Sequence, residues 1–381
     1  MSFCSTNQVF LAFLGVLLGL GFTMHAEAET IDVWFGTARG GDSKGIYHAT
    51  FNTETGKLSR GELAAEVAGP GFLAKRSDGT MLYAAAVDNG KPSIVAYRIE
   101  VSRGGSKLVK DSSVEVGDGG AAHVSVSPDD RVVLSAQYGG GSTAIYRLND
   151  NGGLIDRAGL EKHPPGSGVV AGRQDKAHAH WTGTSPDGRF AFVPDLGMDK
   201  VVIYRLDSKA ATLVPHGFGE CPPGSGPRHM KFDPSGNRIY VLNELALSVT
   251  VFDYDSEAGT MHPIQTIATL SEATKSKEVF NSASEIRFHP SGRFVYTANR
   301  GNDTITVFAV DDQSGKLSVV EVEPIRGAWP RNFNLDPTGK WLLAAGKNTN
   351  SISIFQVNQE TGELQFTRNS VLVPVPICVL F

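Results

Sequence analysis

Apolar and polar residues alternate along most of this chain in short runs, with a period of two rather than the three to four of a helix. Ile239-Tyr240-Val241-Leu242 is followed, after a polar turn, by Ser248-Val249-Thr250-Val251-Phe252. Phe294-Val295-Tyr296 is followed in the same way by Thr304-Ile305-Thr306-Val307-Phe308. Runs of this kind, rich in β-branched and aromatic residues and ended by Gly, Pro, Asn or Asp, read as antiparallel strands.

The runs repeat. A turn of the form (Ser/Pro)-(Asp/Ser/Thr)-(Gly/Asp) starts at Ser77, Pro128, Pro186, Pro234, Pro290 and Pro337, at intervals of 47 to 58 residues. A second turn recurs as Thr-Gly-Lys-Leu at 55–58, Ser-Gly-Lys-Leu at 314–317 and Thr-Gly-Glu-Leu at 361–364. Four short strands in about 50 residues make one propeller blade. The two ends complete each other: residues 31–51 supply the middle strands of a blade that lacks its first, and residues 373–380 resemble a first strand. The pattern predicts an all-β, seven-bladed β-propeller over residues 29–381, its last blade closed by both termini so that no sheet edge stays open.

Residues 1–28 stand apart. The apolar stretch Val9 to Phe22, followed by Ala26-Glu27-Ala28, predicts a cleaved signal peptide and a periplasmic or secreted protein. No later run is long enough to span a membrane. Removing the leader takes Cys4 and leaves Cys221 and Cys378, which sit in different repeats and are expected as separate thiols. Composition narrows the partners further. With 35 basic against 40 acidic residues and no basic run, nucleic acid is not an expected partner. A small-molecule site is.

Aligning the chain against itself locates that site. Six residues before each turn stand Gly71, Ala122, His180, Arg228, Ser284 and Arg331; five before stand Phe72, His123, Trp181, His229, Glu285 and Asn332. Ten after stand Val87, Tyr138, Leu196, Glu244, Arg300 and Lys347. Equivalent positions lie on rings about the channel, so His180, Arg228, Glu244, Glu285, Arg300 and Arg331 are expected at one mouth. Charges in such rings are costly unless paired or facing a ligand.

The chain resembles the propeller-type 6-phosphogluconolactonase family, which includes the fungal 3-carboxy-cis,cis-muconate lactonising enzyme. Its matching motifs are Arg173-Gln174 with His178-Ala179-His180, Gly224-Ser225-Gly226-Pro227-Arg228-His229, Asn243-Glu244-Leu245, Asn299-Arg300-Gly301 and Pro330-Arg331-Asn332-Phe333. The resemblance implies a lactonase with His180, Arg228, Glu244 and Arg300 as its catalytic set. His178, His229, Glu285, Arg331 and Tyr138 are the expected substrate-binding residues.

Such groups suit the chemistry. An imidazole or a carboxylate can activate water, and guanidinium groups can hold an oxyanion or clamp a phosphate. At this level the base is either His180 or Glu244. The expected reaction is hydrolysis of a sugar lactone, 6-phosphogluconolactone first, without a cofactor. A cycloisomerase of the muconate type and a non-catalytic binding scaffold are the alternatives. His178 and His180 share a strand face, but no third ligand accompanies them, so no metal is expected. Asp195 and Asp199 read as turn caps.

Overall fold

The computed structural model describes residues 1–2, 30–102 and 105–381, so the leader-like segment lies outside the described residues. Seven antiparallel sheets form a seven-bladed β-propeller. In the closing blade, Pro376–Leu380 pairs with Thr30–Thr37, which pairs in turn with Gly45–Asn52; Lys57–Leu58 and Glu62–Glu66 complete its outer edge. The strand that the N-terminal repeat lacks therefore comes from the C-terminus. Six further blades follow in chain order over residues 68–115, 121–162, 183–220, 227–268, 282–324 and 330–372. Among the described residues no helix is long and apolar enough to cross a membrane.

The repeated turns have distinct jobs. The Pro-x-Gly type joins the innermost strand of a blade to the second, as between Pro227–Phe232 and Arg238–Asn243. The Gly-x-Leu type joins the third to the fourth and presses on the neighbouring blade. Gly362 has φ +78°, and a Cβ there would stand 2.5 Å from the Phe294 ring, so both the backbone and the gap require glycine. These turns also receive a hydrogen bond from the blade before: Tyr240 Oη donates to Gly315 O (2.7 Å), Tyr296 Oη to Gly362 O (2.8 Å) and Trp341 Nε1 to Thr53 O (2.8 Å).

The core lies between blades rather than in one central mass. Phe51, Trp341, Leu343 and Ile352 interlock across the closing seam, and Tyr240, Val251, Ile286 and Phe308 do so across the seam between residues 227–268 and 282–324. Each fully buried side chain of this size stabilises the seam by about 1.5–3 kcal/mol. Cys221 and Cys378 are both buried and free.

Candidate active site

A recurrent irregularity aims side chains at the mouth of the channel. In six blades the register between the innermost strand and its neighbour shifts at the same repeat position. The residues left out of register are Ile377, Ala122, Arg228, Ser284 with Glu285, Arg331, and the stretch ending at Gly71. A β-bulge re-aims the residue it carries. In the remaining blade the inner segment is held by an Ala179–Asp195 bridge, by His180 N donating to Pro194 O (3.0 Å) and Leu196 N to His178 O (3.0 Å), and by the short Gly183–Thr184 pairing, and the His180 ring lines the mouth.

A cavity of about 620 Å³ opens there, lined on its polar side by Tyr138, Arg173, His180, Glu244, Arg300 and Arg331. Gly71, Phe72, Ala121 and Ala122, from the first blades, are small or apolar and wall a deeper chamber of about 160 Å³ with Arg228, His229 and Arg331. Glu244 and Tyr138 follow the ends of second strands, and Arg300 ends one.

Glu244 is the hub. Its Oε1 accepts from Arg173 Nη2 (2.7 Å) and its Oε2 from Arg228 Nε (2.9 Å), with Arg300 Nη2 at 3.0 Å. Burial works to raise its pKa, but Arg300 and Arg228 outweigh that and hold the carboxyl far below the usual range. Arg228 also donates to Ser284 O, and Arg300 Nη2 to Ala283 O (2.8 Å). Burial and then Arg300 press the Arg228 guanidinium down to about 9, which still leaves it cationic at neutral pH. Arg300 Nε is buried without a partner. The Arg331 side chain makes no hydrogen bond or ion pair with any described residue, although burial and Arg300 both disfavour its charge.

His180 is neutral, because burial and then Arg228 push its pKa well below 6.5. Its Nδ1 is turned into the wall without a partner. His178 stands behind Tyr138 rather than on the cavity: the rings stack at 4.3 Å and its Nδ1 donates to Tyr138 O (2.8 Å). Glu285 is not at the mouth. It lies one layer deeper, where it accepts from His229 Nδ1 (3.1 Å) and from Asn332. Successive strand residues point to opposite faces except where a bulge intervenes, which is why its repeat position misled. Lys347 sits on a short 3-10 turn, Lys347–Thr349, and lines neither cavity. Asp195 and Asp199 are caps: Asp195 accepts from the His178, Gly197 and Met198 amides, and Asp199 from those of Gly224 and Gly226.

Two large side chains of the cavity, Arg173 and Phe280, escaped the repeat alignment. Arg173 lies in the 163–178 loop, flagged only by its place beside the His178-Ala179-His180 motif. Phe280, stacked on Trp329 at 5.7 Å, belongs to a segment that no other blade has.

Fold and site together define a propeller enzyme whose charged pocket sits at one end of the central channel. The family described as "Lactonase, 7-bladed beta-propeller" matches residues 32–381, and the chain belongs to it: this is a lactone-hydrolysing enzyme. It is 34% identical to the 6-phosphogluconolactonase of Bacillus subtilis over 349 residues, 91% of this chain and 97% of that one. Among solved structures it is similar to the periplasmic gluconolactonase of Pseudomonas aeruginosa, with TM-score 0.84, 29% identity and coverage of 93% and 99%. A protein from Lactobacillus plantarum gives TM-score 0.85 at 28% identity, with coverage of 92% and 99%. These relatives act on sugar lactones where their names state an activity, and hydrolysis of a sugar lactone is the activity of this chain at that level.

Proposed function

We propose that the mouth of the channel hydrolyses an anionic sugar lactone, with 6-phosphogluconolactone as the substrate and His180 as the base. One observation carries the reading: four guanidinium groups, from Arg173, Arg228, Arg300 and Arg331, gather around the single carboxylate of Glu244 beside a neutral imidazole. A site with that excess of positive charge favours an anionic ligand and a developing oxyanion.

The roles divide by what each group is already bonded to. Glu244 accepts from three arginines and is a poor proton acceptor, so it orients them rather than activating water. His180 takes the proton of the attacking water. The Arg300 guanidinium, which lines the cavity, stabilises the carbonyl oxygen as it gains charge. Arg331, with no protein partner, holds the phosphate. The proton then passes from His180 to the ring oxygen as its bond to the carbonyl carbon breaks.

A second reading keeps the chemistry and drops the phosphate. The leader-like N-terminus and the periplasmic gluconolactonase among the similar structures both favour gluconolactone, met outside the cytoplasm. Purified protein assayed on phosphorylated and unphosphorylated lactones, with and without EDTA, separates the two. A higher kcat/KM on 6-phosphogluconolactone supports the first reading, and a preference for gluconolactone supports the second. Loss of activity on chelation, or no turnover of any lactone, overturns both.

A further inference from the structure

Two buried ring nitrogens near the mouth have no partner: Nδ1 of His180 and Nε2 of His229. Their rings lie 5.3 Å apart between centroids, inclined at 60°. The geometry points to His229, held by Glu285, as a positioning residue that accepts the Nδ1 hydrogen of His180 and thereby makes His180 Nε2 the basic nitrogen facing the substrate. This rests on the reading of His180 as the base.

The tautomers follow from the partners. Glu285 is fully buried and is surrounded by donors: His229 Nδ1 at 3.1 Å, Ile286 N at 3.0 Å, Arg287 Nη2 at 3.4 Å and Asn332 Nδ2. A carboxylate so placed accepts only, so the His229 hydrogen is on Nδ1 and its Nε2 carries a lone pair. A base at His180 Nε2 needs its own hydrogen on Nδ1. One orphan is then a donor and the other an acceptor, and with His229 fixed by Glu285 they are joined through rotation of the His180 ring or one bridging water. Neither Tyr138, edge-on to His180 at 5.4 Å, nor His123, 5.5 Å from His229, occupies these nitrogens.

The charges around the pair say why a relay is needed. Arg228 and Arg331 act against an imidazolium at His180, and Glu244 is already shared by three arginines. Around His229 stand Arg228, Lys231, Arg287 and Arg331, with Glu285 as the opposing charge. As water oxygen bonds to the carbonyl carbon, its proton goes to His180 Nε2, and the charge is shared along Nδ1–H···Nε2 towards Glu285. On collapse the ring C–O bond breaks and the same proton moves from Nε2 to the leaving oxygen, so no net proton is left on the pair.

The experiment compares pH profiles of kcat and KM for Glu285→Gln, His229→Gln and His229→Phe, with His180→Asn as the control. Glu285→Gln is expected to lower kcat at least about tenfold with KM within about twofold, and to move the acid limb of kcat/KM to lower pH. His229→Gln keeps an acceptor near the Nε2 position and is expected to retain more kcat than His229→Phe. An unmoved limb, or a rise in KM with kcat intact, overturns the relay in favour of packing or substrate binding. If Glu285→Gln does not fold, the His229 pair decides: equal loss in both overturns the proposal. Full activity in His180→Asn brings down the underlying reading instead, whatever the other variants do.

Discussion

Arg228 donates from Nε to Glu244 Oε2 across 2.9 Å, and both side chains are buried in the wall of the channel. The pair joins the bulge of one inner strand to the end of the next strand, and Arg173 and Arg300 share the same carboxylate. Glu244→Gln therefore leaves three clustered cations without their counter-charge. The expected loss of stability is about 3–5 kcal/mol, read as a lower urea midpoint with an unchanged slope. Because the Glu244 charge also favours an imidazolium at His180, turnover is expected to fall and the acid limb of the pH profile to move to lower pH rather than vanish.

His180→Asn tests the base directly. Removing a general base is expected to lower kcat by about 10² to 10⁴ with little change in KM. Far-UV circular dichroism is expected to be unchanged, since the ring's own nitrogens make no bond to the protein. Activity within twofold of the parent would place the base elsewhere.

The blades, their number and the closure by both termini were legible because each strand alternates and each turn has fixed chemistry. The ring of charges was legible for a less obvious reason: the bulge recurs at one repeat position, so residues such as Arg228 and Arg331 are equivalent in space as well as in sequence. Glu285 shows the limit. In its blade the register runs from Ala283↔Asn299 directly to Ile286↔Thr297, so two residues bulge where Arg228 and Arg331 each bulge alone. Phe280 had no repeat partner to reveal it. The choice between His180 and Glu244 had no sequence signal at all, because it turns on how many arginines reach the carboxylate.

Arg331→Met keeps most of the side chain's volume and removes the unpartnered guanidinium. A hydrogen bond to a charged group contributes about 1.5–3 kcal/mol, so KM for a phosphorylated lactone is expected to rise roughly ten- to hundredfold. An unphosphorylated lactone loses much less. Equal changes for the two substrates would remove Arg331 from the anion site.

Deleting residues 376–381 removes the inner strand of the closing blade and bares the edge of Thr30–Thr37. An open edge pairs with other chains. The truncated protein is expected to aggregate, seen as material moving to the void volume on size-exclusion chromatography relative to the full chain.

The channel histidines set the dependence of stability on pH. His123, His180 and His229 are neutral in the fold, their pKa values pushed well below 6.5 by burial first and then by charged or ionisable neighbours, His229 for His123 and Arg228 for the other two. In the unfolded chain each takes up a proton near 6.5. The unfolded state therefore binds more protons below that pH, and stability is whole above 6.5 and lost as pH falls towards the folded-state values. With three protons involved the slope approaches about 4 kcal/mol per pH unit. Lys231, pressed down to about 7 by burial and by Arg287, adds a single proton's worth of slope above neutrality, so the curve steepens on passing below 6.5. Glu244 adds its own loss only below the ordinary carboxylate range. Urea midpoints measured from pH 8 to pH 5 are expected to break near 6.5, and His123→Phe to reduce the slope below the break by about one third. A midpoint that stays constant from pH 7 to pH 5 would mean that these histidines are protonated in the fold, and would take the neutral base at His180 with it.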